Sequence, residues 1–278
     1  VFDKGSRRKG FNEARAEELL KGAEKLWKET GVPVMADIVA SPGEKFKKYV
    51  DFVTSVSDMP FCVDAIMMPA KLEGAAYCAE QGLLDRMFYN SITVWEEDLL
   101  TEVKELAQIG VKHVLLVAFD QDDQTPNGRI TGAQKLLDAI EKAGAEFESI
   151  IVDTTTLNAP ANALCGLSNQ LIKEKWGFAT ASAPSNGSYM ELQRLKDMFG
   201  FKGWAGFDAA VEALSAFYYN DLIFTGPMAG APRVMTAVAA ADAFLATSVF
   251  NETKELPKDP DHPLLKLFPE FAEQLKVA

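Results

Sequence analysis

The chain has 278 residues, 48% of them hydrophobic and 24% charged. That is the make-up of an ordinary globular protein able to bury a core without disulfides or metals, at a length where one α/β barrel is routine. A net charge of -12, with no basic cluster beyond Arg7, Arg8 and Lys9, excludes a nucleic-acid partner. Cys62, Cys78 and Cys165 are odd in number, widely spaced and set among apolar residues, which predicts buried, reduced thiols. The longest apolar run, Val234 to Phe250, is interrupted by Asp242 and falls short of the ~20 residues that span a bilayer. A soluble, cytoplasmic chain with no transmembrane segment is expected.

Helical spacing of apolar residues from Asn12 to Thr30 stops at Gly31, and Val34 to Val39 follows as a short strand. The unit then repeats. A helix over Pro42 to Val56 leads to a strand over Phe61 to Met67, and a helix over Pro69 to Gln81 to a strand over Arg86 to Ile92. Helices over Glu96 to Ile109, Thr131 to Ala143 and Ala159 to Lys173 precede strands over His113 to Phe119, Phe147 to Val152 and Gly177 to Ala181. Helices over Tyr189 to Phe199 and Phe207 to Tyr218, a strand over Leu222 to Phe224, a helix over Ala231 to Phe250 and a terminal helix over Leu264 to Lys276 complete the chain.

Short buried strands alternating with helices imply a parallel sheet, either doubly wound and open or closed as a (β/α)8 TIM barrel. No Gly-rich dinucleotide fingerprint follows any strand, and no linker divides residues 1–278, so one barrel domain is predicted. Seven strands are counted, and the missing first one is expected to be absent or truncated where the sequence opens at Val1.

In such a barrel, chemistry is built at the C-terminal strand ends. Here these are Asp64, Asn90, Asp120, Asp153 and the stretch Ser182 to Asn186. Any one strand-end Asp or Asn serves equally well as a helix or turn cap; five in succession weaken that uniform explanation. Asp64 and Asn90 lie within apolar strands, where an unpaired polar group costs roughly 1 to 3 kcal/mol, so each should have a partner. The cluster Asp120, Asp122 and Asp123 could attract a cation. A zinc site is not expected, since the only histidines are His113 at a strand start and His262 in the tail. No strand-end Ser or Cys can be matched to a histidine, which excludes nucleophile-and-base catalysis. What remains is a ring of carboxylates and amides suited to a flat heterocycle with several N–H donors, such as the 2-amino-pyrimidinone edge of a pterin.

The sequence resembles the H subunit of tetrahydromethanopterin S-methyltransferase and its bacterial relatives, the methylcorrinoid:tetrahydrofolate methyltransferases of methylamine, betaine and aryl-ether demethylating systems. The resemblance rests on Asp51-Phe52-Val53, on Pro60-Phe61-Cys62-Val63-Asp64, on Arg86 to Ile92, on Leu116 to Phe119, on Val152-Asp153 and on Lys175-Trp176-Gly177. It implies a pterin-binding barrel in which Asp64, Asn90 and Asp153 hold the pyrimidine edge, Asp120 and Ser182 line the cavity, and Asn186, after the seventh barrel strand, is the catalytic amide near N5. The reaction it implies is methyl exchange between N5 of a tetrahydropterin and a corrinoid carried by a partner protein, with no metal bound by this chain, which lacks the Asp-x-His-x-x-Gly corrinoid signature. The segment Asp3 to Gly10 is shorter than its archaeal counterpart, which favours tetrahydrofolate over tetrahydromethanopterin. A homodimer is implied, with Ala231 to Phe250 as one candidate surface. Two alternatives are another pterin-binding barrel such as dihydropteroate synthase, for which no strand-end Lys or Arg is evident to hold pyrophosphate, and a non-catalytic subunit of a methyltransferase complex.

Overall fold

The computed structural model describes residues 11–40, 43–119 and 122–277. Helices and strands alternate as α1 (Glu13–Thr30), β1 (Ala36–Val39), α2 (Gly43–Val56), β2 (Phe61–Asp64), α3 (Met68–Glu80), β3 (Met87–Thr93), α4 (Leu99–Ile109), β4 (His113–Val117), α5 (Pro126–Ala143), β5 (Ser149–Asp153), α6 (Asn162–Trp176), β6 (Ala179–Ser182), α7 (Pro184–Met190), α8 (Leu192–Phe217), β7 (Leu222–Ile223), α9 (Ala231–Thr253), α10 (Pro263–Leu267) and α11 (Pro269–Lys276). The seven strands are parallel and ordered β1 to β7 in one sheet, curled as a half-barrel. Among the described residues β1 and β7 do not pair. The place of an eighth strand in residues 1–10 lies outside the described residues.

Local chemistry sets the element ends. Asn12 caps α1 by accepting from the Arg15 amide at 2.9 Å, and α1 stops at Gly31, whose φ of 80° is the left-handed conformation glycine adopts without strain. A Cβ on Gly31 would sit 1.8 Å from the Asp261 carbonyl oxygen, so the C-terminal tail can cross this helix end only at glycine. Helix α5 begins at Pro126 rather than Thr131, because the Thr125 side chain accepts from the Gly128 amide and Pro126 fits the first turn. The helix expected over Tyr189 to Phe199 is divided at Glu191 into α7 and the first part of α8; the expected stop after Phe199 is present as a break in α8 at Gly200, whose φ of 72° and ψ of 173° are not helical, and the second part begins before the expected Phe207. The expected terminal helix is split at Phe268 and Pro269 into α10 and α11.

The apolar core lies between the sheet and its surrounding helices. Phe46 and Val50 of α2, Val63 and Tyr89 of the sheet, Val103 and Leu106 of α4 and Leu136 of α5 are essentially without solvent exposure. All three cysteines are buried thiols, as predicted. Strand residues alternate between helix side and barrel interior, so their neighbours must face inward. Tyr89 reaches out to Glu102 of α4 at 2.6 Å, and Val152 packs on Ala133 and Ile172 of α5 and α6. Phe88, Asn90, Ile151 and Asp153 therefore project into the half-barrel. Residues 228–253 are, by length and composition, long and apolar enough to cross a membrane; their helix α9 packs against α1, α8 and α10.

Candidate functional site

Register pairs place the inward residues of adjacent strands side by side: Asp37 with Cys62, Asp64 with Asn90, and Asp153 with Ala181. Polar groups collect at the C-terminal end. Near the other end Phe88 stacks on His113, ring centroids 4.7 Å apart. The interior is thus polar at its mouth and aromatic toward its base.

Asn90, 9% exposed, donates from Nδ2 to Asp37 Oδ1 at 3.3 Å, so the amide expected to need a partner has one. Asp64 differs: half-buried, its carboxylate accepts no hydrogen bond from any described residue. Burial, reinforced by the neighbouring Asp37 charge, raises its carboxyl to about 7 against the lowering effect of Lys71. Asp37 is exposed at its surface, yet the atoms packed around the strand ends desolvate its carboxyl enough to raise it to about 6, with the Asn90 hydrogen bond in opposition. Asp153, 4% exposed, accepts from the Thr155 amide at 2.7 Å; burial raises it to about 6, while that amide and Arg129 pull it down.

Two buried cations brace these strand ends. Lys71, in the first turn of α3, donates to the Ser91 carbonyl, pairs with Glu102 at 3.2 Å and lies 5.0 Å from the centre of the Tyr89 ring. It ties down the backbone next to Asn90. Arg129, in the first turn of α5, donates to the carbonyls of Thr154 at 2.6 Å, Thr155 at 3.1 Å and Gln124. The turn that follows Asp153 is therefore tied through two of its carbonyls to the start of α5.

Asn186 is exposed in the first turn of α7, and its Nδ2 reaches the Thr156 carbonyl at 3.4 Å. That places its amide beside the turn after β5, on the same mouth as Asp153. Ser182 is not brought there. Because Ala181 is in register with inward-facing Asp153, alternation turns Ser182 and Thr180 to the helix side, where Ser182 is fully buried with no partner for its hydroxyl. Asp120 lies outside the described residues, and these hold no group of three or more His, Cys, Asp or Glu side chains able to bind a metal.

The family model described as the tetrahydromethanopterin S-methyltransferase MtrH subunit matches residues 4–256. The chain belongs to this MtrH family. It is 27% identical over 268 residues to the MtrH subunit of tetrahydromethanopterin S-methyltransferase from Methanothermobacter thermautotrophicus, covering 92% of this chain and 84% of that one. Against the same-named subunit of Methanopyrus kandleri it is again 27% identical, with 91% and 83% covered. Among solved structures, the 7,8-dihydropteroate synthase of Vibrio fischeri superposes with a TM-score of 0.60 at 18% identity, covering 87% of this chain and 89% of that one. The dihydropteroate synthase of Coxiella burnetii, solved with pteroic acid, gives 0.57 at 13% identity over 86% and 90%. At these identities the likeness speaks for the fold: this member of the MtrH family has the barrel architecture of those synthases.

Sequence reading missed three members of the mouth. Asp37 sits one strand before the first polar strand end noticed, and alternation within Ala36 to Val39 could have found it. Arg129 was hidden by starting its helix at Thr131; the Thr125-Pro126 pair was the available signal. Lys71 gave no signal, since a lysine in the first turn of a helix ordinarily points to water.

Proposed function

We propose that this protein transfers a methyl group between N5 of a tetrahydropterin and a corrinoid carried by a partner protein. The observation that carries the reading is the convergence of Asp37, Asp64, Asn90 and Asp153 on one inward face, with the half-buried Asp64 carboxylate lacking any hydrogen-bond partner among the described residues. A 2-amino-pyrimidinone edge presents N–H groups that two carboxylates and an amide carbonyl accept in the plane of the ring. Family membership and the names of the curated relatives support a pterin-dependent methyltransferase subunit.

Asp64, Asn90 and Asp153 bind and orient the pterin, with Asp120 as a further expected contact. The Asn186 amide hydrogen-bonds N5 and follows its change of charge as the methyl group moves, so catalysis rests on electrostatic positioning. The corrinoid supplies the cobalt that accepts or gives up the methyl group. This chain is not fitted to hold it: of the two histidines, His113 is stacked below the mouth and His262 Nδ1 accepts from the Leu264 amide in the tail. A partner docking over the mouth would meet the exposed apolar side chains Ile66, Met67, Trp95 and Leu157 on strand-end loops. Homodimerisation is supported by α8 and α9, which turn Ala210, Leu214, Phe217, Ala240 and Phe244 outward while Asp208 and Glu212 face in. We place the protein, as one barrel domain over residues 1–278, in the cytoplasm.

Tetrahydrofolate is the pterin that the sequence favours, through a segment outside the described residues; tetrahydromethanopterin is the one in the relatives' names. A dihydropteroate synthase reading loses support from the engagement of the basic groups near the mouth, since Lys71, Arg129 and Arg233 are all committed to protein partners. Mixing the purified chain with reduced cobalamin and each 5-methyl-tetrahydropterin, followed by the visible spectrum, tests the reaction. Conversion to methylcobalamin that requires the chain supports it; no conversion with either pterin, although one binds, supports a non-catalytic subunit instead.

A further inference from the structure

The helix that carries Asn186 is locked on two sides by the residues that follow it. Gly187 lies against the turn after β5, so close that a Cβ would fall 2.2 Å from the Ala159 nitrogen. On the other side the fully buried Ser188 donates its hydroxyl to Asp208 of α8, and its carbonyl accepts from the Trp204 indole at 2.9 Å. Asp208, itself without exposure, also accepts from Arg233 Nε of α9 at 2.6 Å. The guanidinium then covers the Trp204 ring at 4.9 Å, and Tyr189 meets the same ring edge-on, centroids 4.9 Å apart. Of Asn186, Gly187 and Ser188, only Asn186 is exposed.

We propose that Asp208 is a positioning residue for methyl transfer, holding Ser188 and Arg233 together so that α7 presents the Asn186 amide at a fixed place over the mouth. This rests on the reading of Asn186 as the hydrogen-bond partner of N5. A buried charge pair adds little net stability over a well-packed apolar contact, which would join α8 to α9 as well. What the pair adds is direction. Its bonds fix three helices relative to one another, and a displacement of about 1 Å at a reacting group can cost up to 100-fold in rate.

The test uses the full chain with Ser188→Ala and Asp208→Asn, each alone, and Ser188→Ala combined with Asn186→Ala. Asp208→Asn removes the charge opposite Arg233 and one of two acceptor oxygens, and so risks misfolding, whereas Ser188→Ala removes one hydroxyl; where Asp208→Asn folds it should act as Ser188→Ala does. For Ser188→Ala we expect turnover of cobalamin methylation to fall roughly tenfold while the pterin Kd changes less than about twofold, and amide exchange across Pro184–Met190 to quicken. In the Asn186→Ala background the same change should cost less than about twofold, because its effect passes through that amide. Unchanged exchange in α7, or a full additive loss on top of Asn186→Ala, overturns the proposal. Undiminished turnover in Asn186→Ala alone overturns the reading of Asn186, and the positioning role with it, while quickened exchange would still record the lock on α7.

Discussion

Replacing Glu212 by glutamine should stabilise the protein in a pH-dependent way. The side chain is fully buried on α8 and neither carboxylate oxygen has a hydrogen-bond partner. Burial, and after it the Asp208 charge one turn earlier, raise the carboxyl from 4.5 to about 9 against the pull of Arg233. A folded-state pKa above the unfolded one means that the folded chain is favoured most below 4.5, where both forms are protonated, and loses stability as pH rises toward 9. Between 4.5 and neutral pH lie two and a half decades of proton activity, worth about 3 kcal/mol at ~1.4 kcal/mol each. Glutamine has the same shape and no proton to lose. Glu212→Gln should therefore melt near the wild type at pH 4.5 and roughly 6–12 °C above it at pH 7, given the usual 2–4 °C per kcal/mol for chains approaching this size. Paired calorimetric scans from pH 4.5 to 8 provide the comparison. A difference that does not grow with pH refutes the burial of an unpartnered carboxyl at this position.

Asp64→Ala and Asp153→Ala should each weaken pterin binding tenfold or more, the loss expected when a charged acceptor worth about 1.5 to 3 kcal/mol is removed, and wild-type affinity in both would sink the assignment. Asn186→Ala should lower turnover more than affinity; a larger loss in binding than in rate would contradict its role at N5. Because burial raises Asp64 to about 7 and Asp153 to about 6, both carboxylates take up protons as the pH falls through that range and lose the charge that accepts pterin N–H groups. Affinity should accordingly decline from pH 8 to 5.5, with a shallower slope in Asp64→Asn, and a flat wild-type profile would show that these carboxyls do not meet the ligand.

The alternation of strands and helices was legible because each strand is short, apolar and closed off by a helix whose stop signal is local, as at Gly31, Gly110, Gly144 and Gly177. In the late helices the stop after Phe199 was legible, since Gly200 with φ 72° and ψ 173° breaks the helical path there, whereas the division between α7 and α8 depends on tertiary packing: α7 forms where Gly187 fits against Ala159. At the site, strand-end position identified Asp64, Asn90 and Asp153 as mouth residues, but position alone does not give facing. Ser182 closes its strand on the helix side, a consequence of the register between Asp153 and Ala181 that no single-sequence pattern contains. Lys71 and Arg129 were overlooked for a related reason. A cation is buried only when carbonyls or carboxylates distant in sequence converge on it, and those partners, Ser91 and Glu102 for one and Thr154 and Thr155 for the other, are settled by the fold.

Calorimetric titration of the purified chain with tetrahydrofolate and, separately, tetrahydromethanopterin tests the central claim most directly. Saturable binding of at least one, abolished or weakened at least tenfold in Asp153→Ala, is the result predicted. Heat changes no larger than dilution for both pterins would contradict a pterin site at the barrel mouth.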